Sequence, residues 1–357
     1  MGATTIDWSM GARAAVLIDW GTARETARRV GGGGPSTSGV DRARLREDLA
    51  ELVPHAESLI GEFTGLRVEG YRSRPWVMSR GEWSTANLAG LQRLLEPLAT
   101  KLLPPGSKRS ELRRKGLGAQ VGGLLGYVSR KVLGQYDVFL PPDDEGLLYF
   151  IGPNVVEAER RFRLAPRDFR LWIAAHEVTH RVQFGATPWL KPYLSRHIDR
   201  YLDTVQVDSK ELLGQLRRAV EEIRAGADWR GAQAVMLLMN DEQRALFHRM
   251  QALMSLLEGH ASYVMNRVVA NEVADLDRMR NALQERRQTG GVEKSFQRAI
   301  GFETKIAQYD AGERFVRLVV DEAGMDGFNR VWEREEHLPT PEEIVEPARW
   351  ISRVTTS

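Results

Sequence analysis

The chain contains no cysteine. Disulfides, thiol nucleophiles, iron–sulfur clusters and every thiolate-held zinc site are thereby excluded, and any metal must be held by His, Asp and Glu. An excess of one charge is also lacking, since 50 basic against 48 acidic residues leave a net +2 over 357 residues. Such a balance provides no whole-molecule field for nucleic acid or an anionic membrane. No basic stripe interleaved with aromatics argues for nucleic acid either. Lysine is scarce, 8 residues against 42 arginines, a bias that reads as genomic composition and not as a phosphate-binding surface. Long apolar runs are missing too. The longest, Gly146–Gly152 and Ala234–Met239, fall far short of the ~20 residues that span a bilayer. At the N-terminus Asp7 and Asp19 flank the short stretch Ala14–Ile18 with no basic region ahead of it, so no secretory signal is expected. The expectation is a cytoplasmic protein with no membrane and no nucleic-acid partner; the sequence does not set its oligomeric state.

What is present is an ordinary globular composition, 42% hydrophobic and 27% charged, sufficient for a large core. The clearest linker is GGGGPSTSG at 31–39. It suggests an N-terminal segment, 1–40, followed by one mostly helical domain, 41–357, with its active-site core at about 137–270. Apolar residues recur at three- and four-residue steps from Leu45 to Phe63, with Pro54 as an expected kink. Ser84 is placed to cap a helix carrying Leu88 to Leu102. A Gly- and Ala-rich helix over about 108–134 should pack closely on a neighbour. Asp137–Leu140 and Leu147–Ile151, separated by PPDDEG, read as two strands and the only β in the chain. Helices resume at Pro166, at about 189–204, from a cap at Asn240 or Asp241, and at Pro341. The fold class is mainly α with a small β element.

The chemistry lies in His176-Glu177-Val178-Thr179-His180. Histidines four apart on a helix differ by about 40° in azimuth, so both imidazoles face one way. They can grip one Zn²⁺ at about 2.0–2.1 Å. Glu177 borders the same face, within reach of a water on the metal, the position of a general base. With 7 His in the chain, an HExxH string arises by chance on the order of 0.01 times per such sequence, which gives the match weight.

A catalytic zinc needs a third protein ligand and an open fourth position. Gln183 and Ala186 stand where a metzincin continuation would place Gly and His, so the ligand comes from elsewhere. Glu258, in LLEGHASY, is the best candidate. Its helical neighbours Met254, Ser255, Ala261, Ser262 and Met265 are apolar or small, and a carboxylate on such a face is costly unless paired or metal-bound. The alternative is a pairing with a distant arginine. His260 points about 200° from Glu258 on a straight helix, which leaves it a supporting or substrate-contacting role, or a structural one. Tyr263, about 140° off, is read as packing unless the helix curves it toward an oxyanion. Glu322 with Asp326 imitates a second ligand pattern, but Gly324 interrupts it.

HEVTH on one helix with LLEGHASY some 78 residues on resembles the zincin class of zinc metallopeptidases. More narrowly it is similar to a mainly actinobacterial family labelled zinc-dependent metallopeptidase or hydrolase, or associated with deazaflavin coenzyme biosynthesis. The resemblance implies a zincin-like helical catalytic domain, His176, His180 and Glu258 as zinc ligands and Glu177 as base. In classical glutamate-zincins an Asp stands four residues after the ligand Glu to support a ligand histidine; here that position is Ser262. The resemblance also implies an edge strand that pairs with extended substrate, with Gln135–Leu140 or Leu147–Ile151 as candidates, the alternative being a small β flap that covers the core. The expected activity is hydrolysis of a peptide or protein substrate at one Zn²⁺. Two alternatives stand beside it: a zinc hydrolase of a non-peptide amide or ester, and a non-catalytic zinc-binding regulator.

Overall fold

A computed structural model describes residues 17–34, 39–70, 72–102, 110–138, 146–204, 239–288 and 302–355. In chain order these form α1 (Trp20–Gly31), α2 (Gly39–Thr64), β1 (Arg74–Met78), α3 (Arg80–Leu102), α4 (Glu111–Ser129), β2 (Gly134–Tyr136), β3 (Leu147–Ile151) and α5 (Gly152–Phe162). There follow α6 (Pro166–Gly185), α7 (Leu190–Thr204), α8 (Asp241–Val268), α9 (Leu276–Gln288) and α10 (Phe302–Asn329). Two 3-10 turns, Arg330–Trp332 and Glu335–His337, lead to α11 (Pro341–Val345) and α12 (Pro347–Val354). The architecture is mainly α with one small sheet. Among the described residues no helix is long and apolar enough to cross a membrane. The chain divides into two compact units, Met1–Glu51 with Arg74–Pro166, and Leu52–Ser73 with Arg167–Ser357. Of the Gly-rich stretch, 35–38 lie outside the described residues, as do most of PPDDEG and most of the apolar run 234–239.

In the first unit the sheet has the order β1-β3-β2, with β1 parallel and β2 antiparallel to β3. The sequence reading missed β1. Pro75 weakens its strand signal, yet an edge strand tolerates a residue with no N–H to donate. Because β3 is paired on both sides, Leu147–Ile151 is not an edge, which removes it as a substrate-pairing candidate. Trp83 Nε1 donates to the Gln135 side-chain oxygen at 2.5 Å and Gln135 Nε2 donates to Asn87 Oδ1 at 3.2 Å, tying β2 to α3.

Helix α3 begins four residues before the expected cap. Ser79 and Glu82 form a reciprocal cap, the Ser79 N–H donating to the Glu82 carboxylate at 2.7 Å and the Glu82 N–H to the Ser79 hydroxyl at 3.2 Å. Ser84 lies inside the helix and returns its hydroxyl to the Arg80 carbonyl. The Gly-rich helix packs as expected. Gly118, Gly122 and Gly126 lie one turn apart on α4, and a Cβ on any of them would overlap the α1 side at Asp19, Ala23 or Ala27. Small residues on both helices let the backbones meet. Around them Ile18, Trp20, Ala23, Ala27 and Leu88 form one apolar cluster. Buried Arg80 is satisfied by Asn154, Glu157 and the Gly31 carbonyl.

The described residues of the second unit form helices and no strand. Pro166 opens α6 as expected, since its missing N–H is not needed in a first turn. Helix α2 runs through Pro54 to Thr64. From it Glu57 accepts a 2.6 Å charge-assisted bond from buried Arg181 on α6. Asn240 caps α8 in a reciprocal box with Gln243. Helix α8 continues through Gly259, which lies against Gly312 of α10 so closely that a Cβ on either would overlap the other helix's backbone. Helix α10 breaks at Gly324, with φ 72°, a left-handed value that glycine adopts freely. Beyond the break Phe328 and Trp332 enter the core, and Trp350 of α12 packs edge-on against Phe315 at 5.7 Å.

Candidate metal centre

Thirteen of the twenty residues of α6 are buried, so the helix is enclosed nearly all round, and the buried set includes Arg170, Glu177, Thr179, Arg181 and Gln183. His176 and His180 lie on its less enclosed side, with side chains 23% and 14% exposed. Their rings meet edge to face with centroids 4.7 Å apart, and their Nε2 atoms approach to 3.3 Å. Glu258, from α8, brings one carboxylate oxygen to 3.6 Å from each Nε2. The three donor atoms therefore form a near-equilateral triangle. Ligands at the usual Zn–N and Zn–O lengths of about 2.0–2.2 Å stand about 3.3–3.5 Å apart around a tetrahedral ion. The edges of 3.3, 3.6 and 3.6 Å match such a site closely, and the donor set of two imidazoles and a carboxylate suits zinc. Among the described residues this trio is the one cluster of His and acidic side chains with metal-holding geometry. Glu322 and Asp326 are exposed and stand outside it.

Electrostatics reinforce the convergence. Burial works against charge on His180, but the hydrogen bond and charge of Glu258, with the charge of Glu177, outweigh it and raise its pKa to about 9. Burial likewise opposes the Glu258 anion, yet the two histidines hold its carboxyl well below the ordinary range. Both shifts have one cause, the close approach of the two histidines to the Glu258 carboxylate. Glu177 is buried at 5% exposure, and its charge acts on His180. It is a carboxylate at the border of the donor cluster.

The other expected residues part company here. His260 is fully buried, with its ring stacked on Phe328 at 5.0 Å and edge-on to Trp332 at 5.3 Å. Burial lowers its pKa to about 3, helped by the charge on His180. It touches neither the donor triangle nor any surface that a substrate could reach. Its contact is Gln183, whose amide nitrogen lies 2.9 Å from His260 Nδ1 and 2.8 Å from the Leu257 carbonyl, while its oxygen lies 2.9 Å from His180 Nδ1. The sequence reading noted Gln183 only as a departure from the metzincin pattern and gave it no role. The signal was a polar side chain three residues after His180, one helical turn from a candidate ligand. Tyr263 is a packing residue, buried between the Phe63 ring at 6.3 Å and the Arg267 guanidinium at 5.3 Å.

No curated protein matches the chain. A solved crystal structure described as "a putative hydrolase with a novel fold from Chloroflexus aurantiacus" is 34% identical, with a TM-score of 0.73 over 96% of this chain and 100% of that one. The zincin-like metallopeptidase family matches residues 18–351, nearly the whole sequence. By that extent of match, the chain belongs to the zincin-like metallopeptidase family.

Proposed function

We propose that this protein is a zinc-dependent peptidase whose metal is held by His176, His180 and Glu258 and whose general base is Glu177. The observation that carries the reading is the triangle of His176 Nε2, His180 Nε2 and Glu258 oxygen, with edges of a tetrahedral zinc site. A zinc ion bound there supplies Lewis acidity toward a carbonyl and lowers the pKa of water toward 7.

The chain's own residues do the rest. His176 and His180 present their Nε2 lone pairs from adjacent turns of one rigid helix. Among the three ligands Glu258 adds the one negative charge, so the ligand set with a divalent ion keeps a net positive charge. Glu177 takes the proton of the attacking water as the C–O bond forms. It then returns that proton to the departing amine nitrogen as the C–N bond breaks, and the carboxylate is regenerated. Zinc sites that only support a fold have no use for such a base, and the burial of Glu177 with its charge effect on His180 supports this role.

The test is metal analysis of chelator-free protein followed by an unbiased peptide-library digest. The reading expects about one zinc per chain and cleavage that a chelator abolishes. Zinc-loaded protein that hydrolyses small amides or esters and leaves every peptide intact would move the substrate class. Zinc-loaded protein with no turnover on any of these would replace the enzyme reading with a binding one.

A further inference from the structure

We infer that Gln183 and His260 form a hydrogen-bond lock that fixes the imidazole of His180 in the form a metal ligand requires. The inference rests on the functional reading above for what His180 ligates, but the lock itself is a property of the chain.

The argument starts at the Leu257 carbonyl, which can only accept a hydrogen bond. The Gln183 side-chain atom 2.8 Å from it must therefore be the NH₂ group, since an amide oxygen there would face another oxygen with no proton between them. This backbone contact settles the orientation of the Gln183 amide. Its oxygen then faces His180 Nδ1 at 2.9 Å, so that nitrogen must carry a proton and donate it. A neutral His180 with its proton on Nδ1 has its lone pair on Nε2, the atom that points at His176 and Glu258.

The second N–H of the Gln183 amide points to His260 Nδ1 at 2.9 Å. That nitrogen must be bare, and the proton of His260 lies on Nε2, which has no partner among the described residues. The ring is held for this task by stacking on Phe328 and by an edge contact with Trp332. Each polar atom of Gln183 is thus committed: the oxygen to the ligand histidine, one proton to the α8 backbone, and one to His260. The same turn of α8 carries Leu257, Glu258 and His260, so it supplies a ligand on one side of His180 and anchors its support on the other. The amide does here what a carboxylate does behind many ligand histidines, without adding a second negative charge. Neither residue touches the reacting atoms, and both are positioning residues.

The experiment pairs zinc affinity, by chelator competition, with ¹⁵N NMR of the histidine rings in wild-type protein. The NMR arm expects His260 protonated on Nε2 and bare on Nδ1 in both metal-free and zinc-loaded protein; a proton on its Nδ1 overturns the lock. In the affinity arm, Gln183→Leu should weaken zinc binding by about 10–100-fold, the usual effect of losing a ligand's supporting partner. His260→Leu should cause a smaller loss, His260→Asn should restore it by replacing the Nδ1 acceptor with an amide oxygen, and adding His260→Leu to Gln183→Leu should cost nothing more. Wild-type affinity in folded Gln183→Leu, or a full additive loss in the double variant, overturns the lock. If a variant fails to fold, the wild-type NMR decides. If wild-type protein binds no zinc, the functional reading fails alone and the His260 tautomer still tests the lock.

Discussion

Gly259 of α8 and Gly312 of α10 touch backbone to backbone. Gly259 stands between Glu258, which reaches the donor triangle, and His260, which supports it from behind. The depth at which α8 sits against α10 therefore sets where both side chains fall. Gly259→Ala places a Cβ on backbone atoms that cannot move aside as a side-chain tip can. We expect a loss of about 1–3 kcal/mol in denaturant unfolding together with weaker zinc retention. Gly123→Ala, where a Cβ meets nothing within 4 Å, is the control and should be neutral or slightly stabilising. Equal stability of the two variants would show that the helices can separate at little cost.

The donor triangle makes a prediction about metal content. His176→Ala, His180→Ala and Glu258→Ala each remove one of the three candidate ligands. Each should purify with far less than one zinc while keeping its helical circular dichroism. Mass spectrometry for metal and far-ultraviolet spectra check both halves. Full zinc in any one of the three would mean that the ion sits elsewhere.

The first unit offers an independent test of packing. Gly122 of α4 faces the Ala23 backbone of α1. Gly122→Leu should force the two helices apart and cost at least about 1–3 kcal/mol, read as a drop in thermal midpoint. Leu112, exposed at 81% on the same helix, can be changed to Ala as a control with little effect. If both changes behave alike, the glycine stripe is not what brings α1 and α4 together.

Much of this site was legible because helical geometry is local. His176, Glu177 and His180 need only a 3.6-residue period to share a face, and the small neighbours of Glu258 marked it as a carboxylate with a reason to be buried. The 200° offset also put His260 on the side of α8 away from Glu258, although it could not choose a role for it. What was not legible depends on pairings distant in sequence. Gln183 acquires meaning only once α8 brings the Leu257 carbonyl and His260 to it. The use of Gly259 is visible only beside Gly312. Strand β1 carries Pro75, so its local signal is poor and its pairing with β3 makes it a strand. The α3 cap was misplaced because Ser84 stood nearer the leucine pattern, while the Ser79–Glu82 spacing was the better signal.

A pH prediction concerns the C-terminal helices. The Glu343 side chain, 8% exposed, takes two bonds from Arg353, at 2.7 and 2.8 Å, and closes the cap with Thr340. Burial disfavours its charge, but the Arg353 bonds and the Thr340 backbone overcome this and lower its pKa. A carboxyl lowered on folding stabilises the protein above its unfolded pKa of about 4.3–4.5, and that stabilisation is lost as pH falls through the folded value. Glu343→Gln should therefore cost about 1–3 kcal/mol at pH 7. The gap from wild type should narrow below about pH 4.5 and close in stronger acid. Urea unfolding at a series of pH values measures it. A gap that stays constant into acid would assign the effect to packing and not to charge.

The last prediction separates the base from the ligands. Glu177 is buried beside the donor triangle but is not one of its three corners. From His176 it lies about 100° round the helix, and from His180 about 300°, which returns it near the same side. It therefore borders the metal face without lying in line with both histidines. Gln is nearly the same shape as Glu, so Glu177→Gln should leave the fold and about one zinc per chain in place. It cannot accept a proton from water, and removing a general base costs at least about 10²-fold in rate. The loss should fall on kcat, with little change in KM, because Glu177 is asked to act in the chemical step and not to hold substrate. The measurement uses whichever peptide the library digest supplies. Wild-type kcat in the zinc-loaded variant would remove Glu177 from the mechanism. Loss of zinc from the variant would make Glu177 a fourth ligand and close the position that substrate needs.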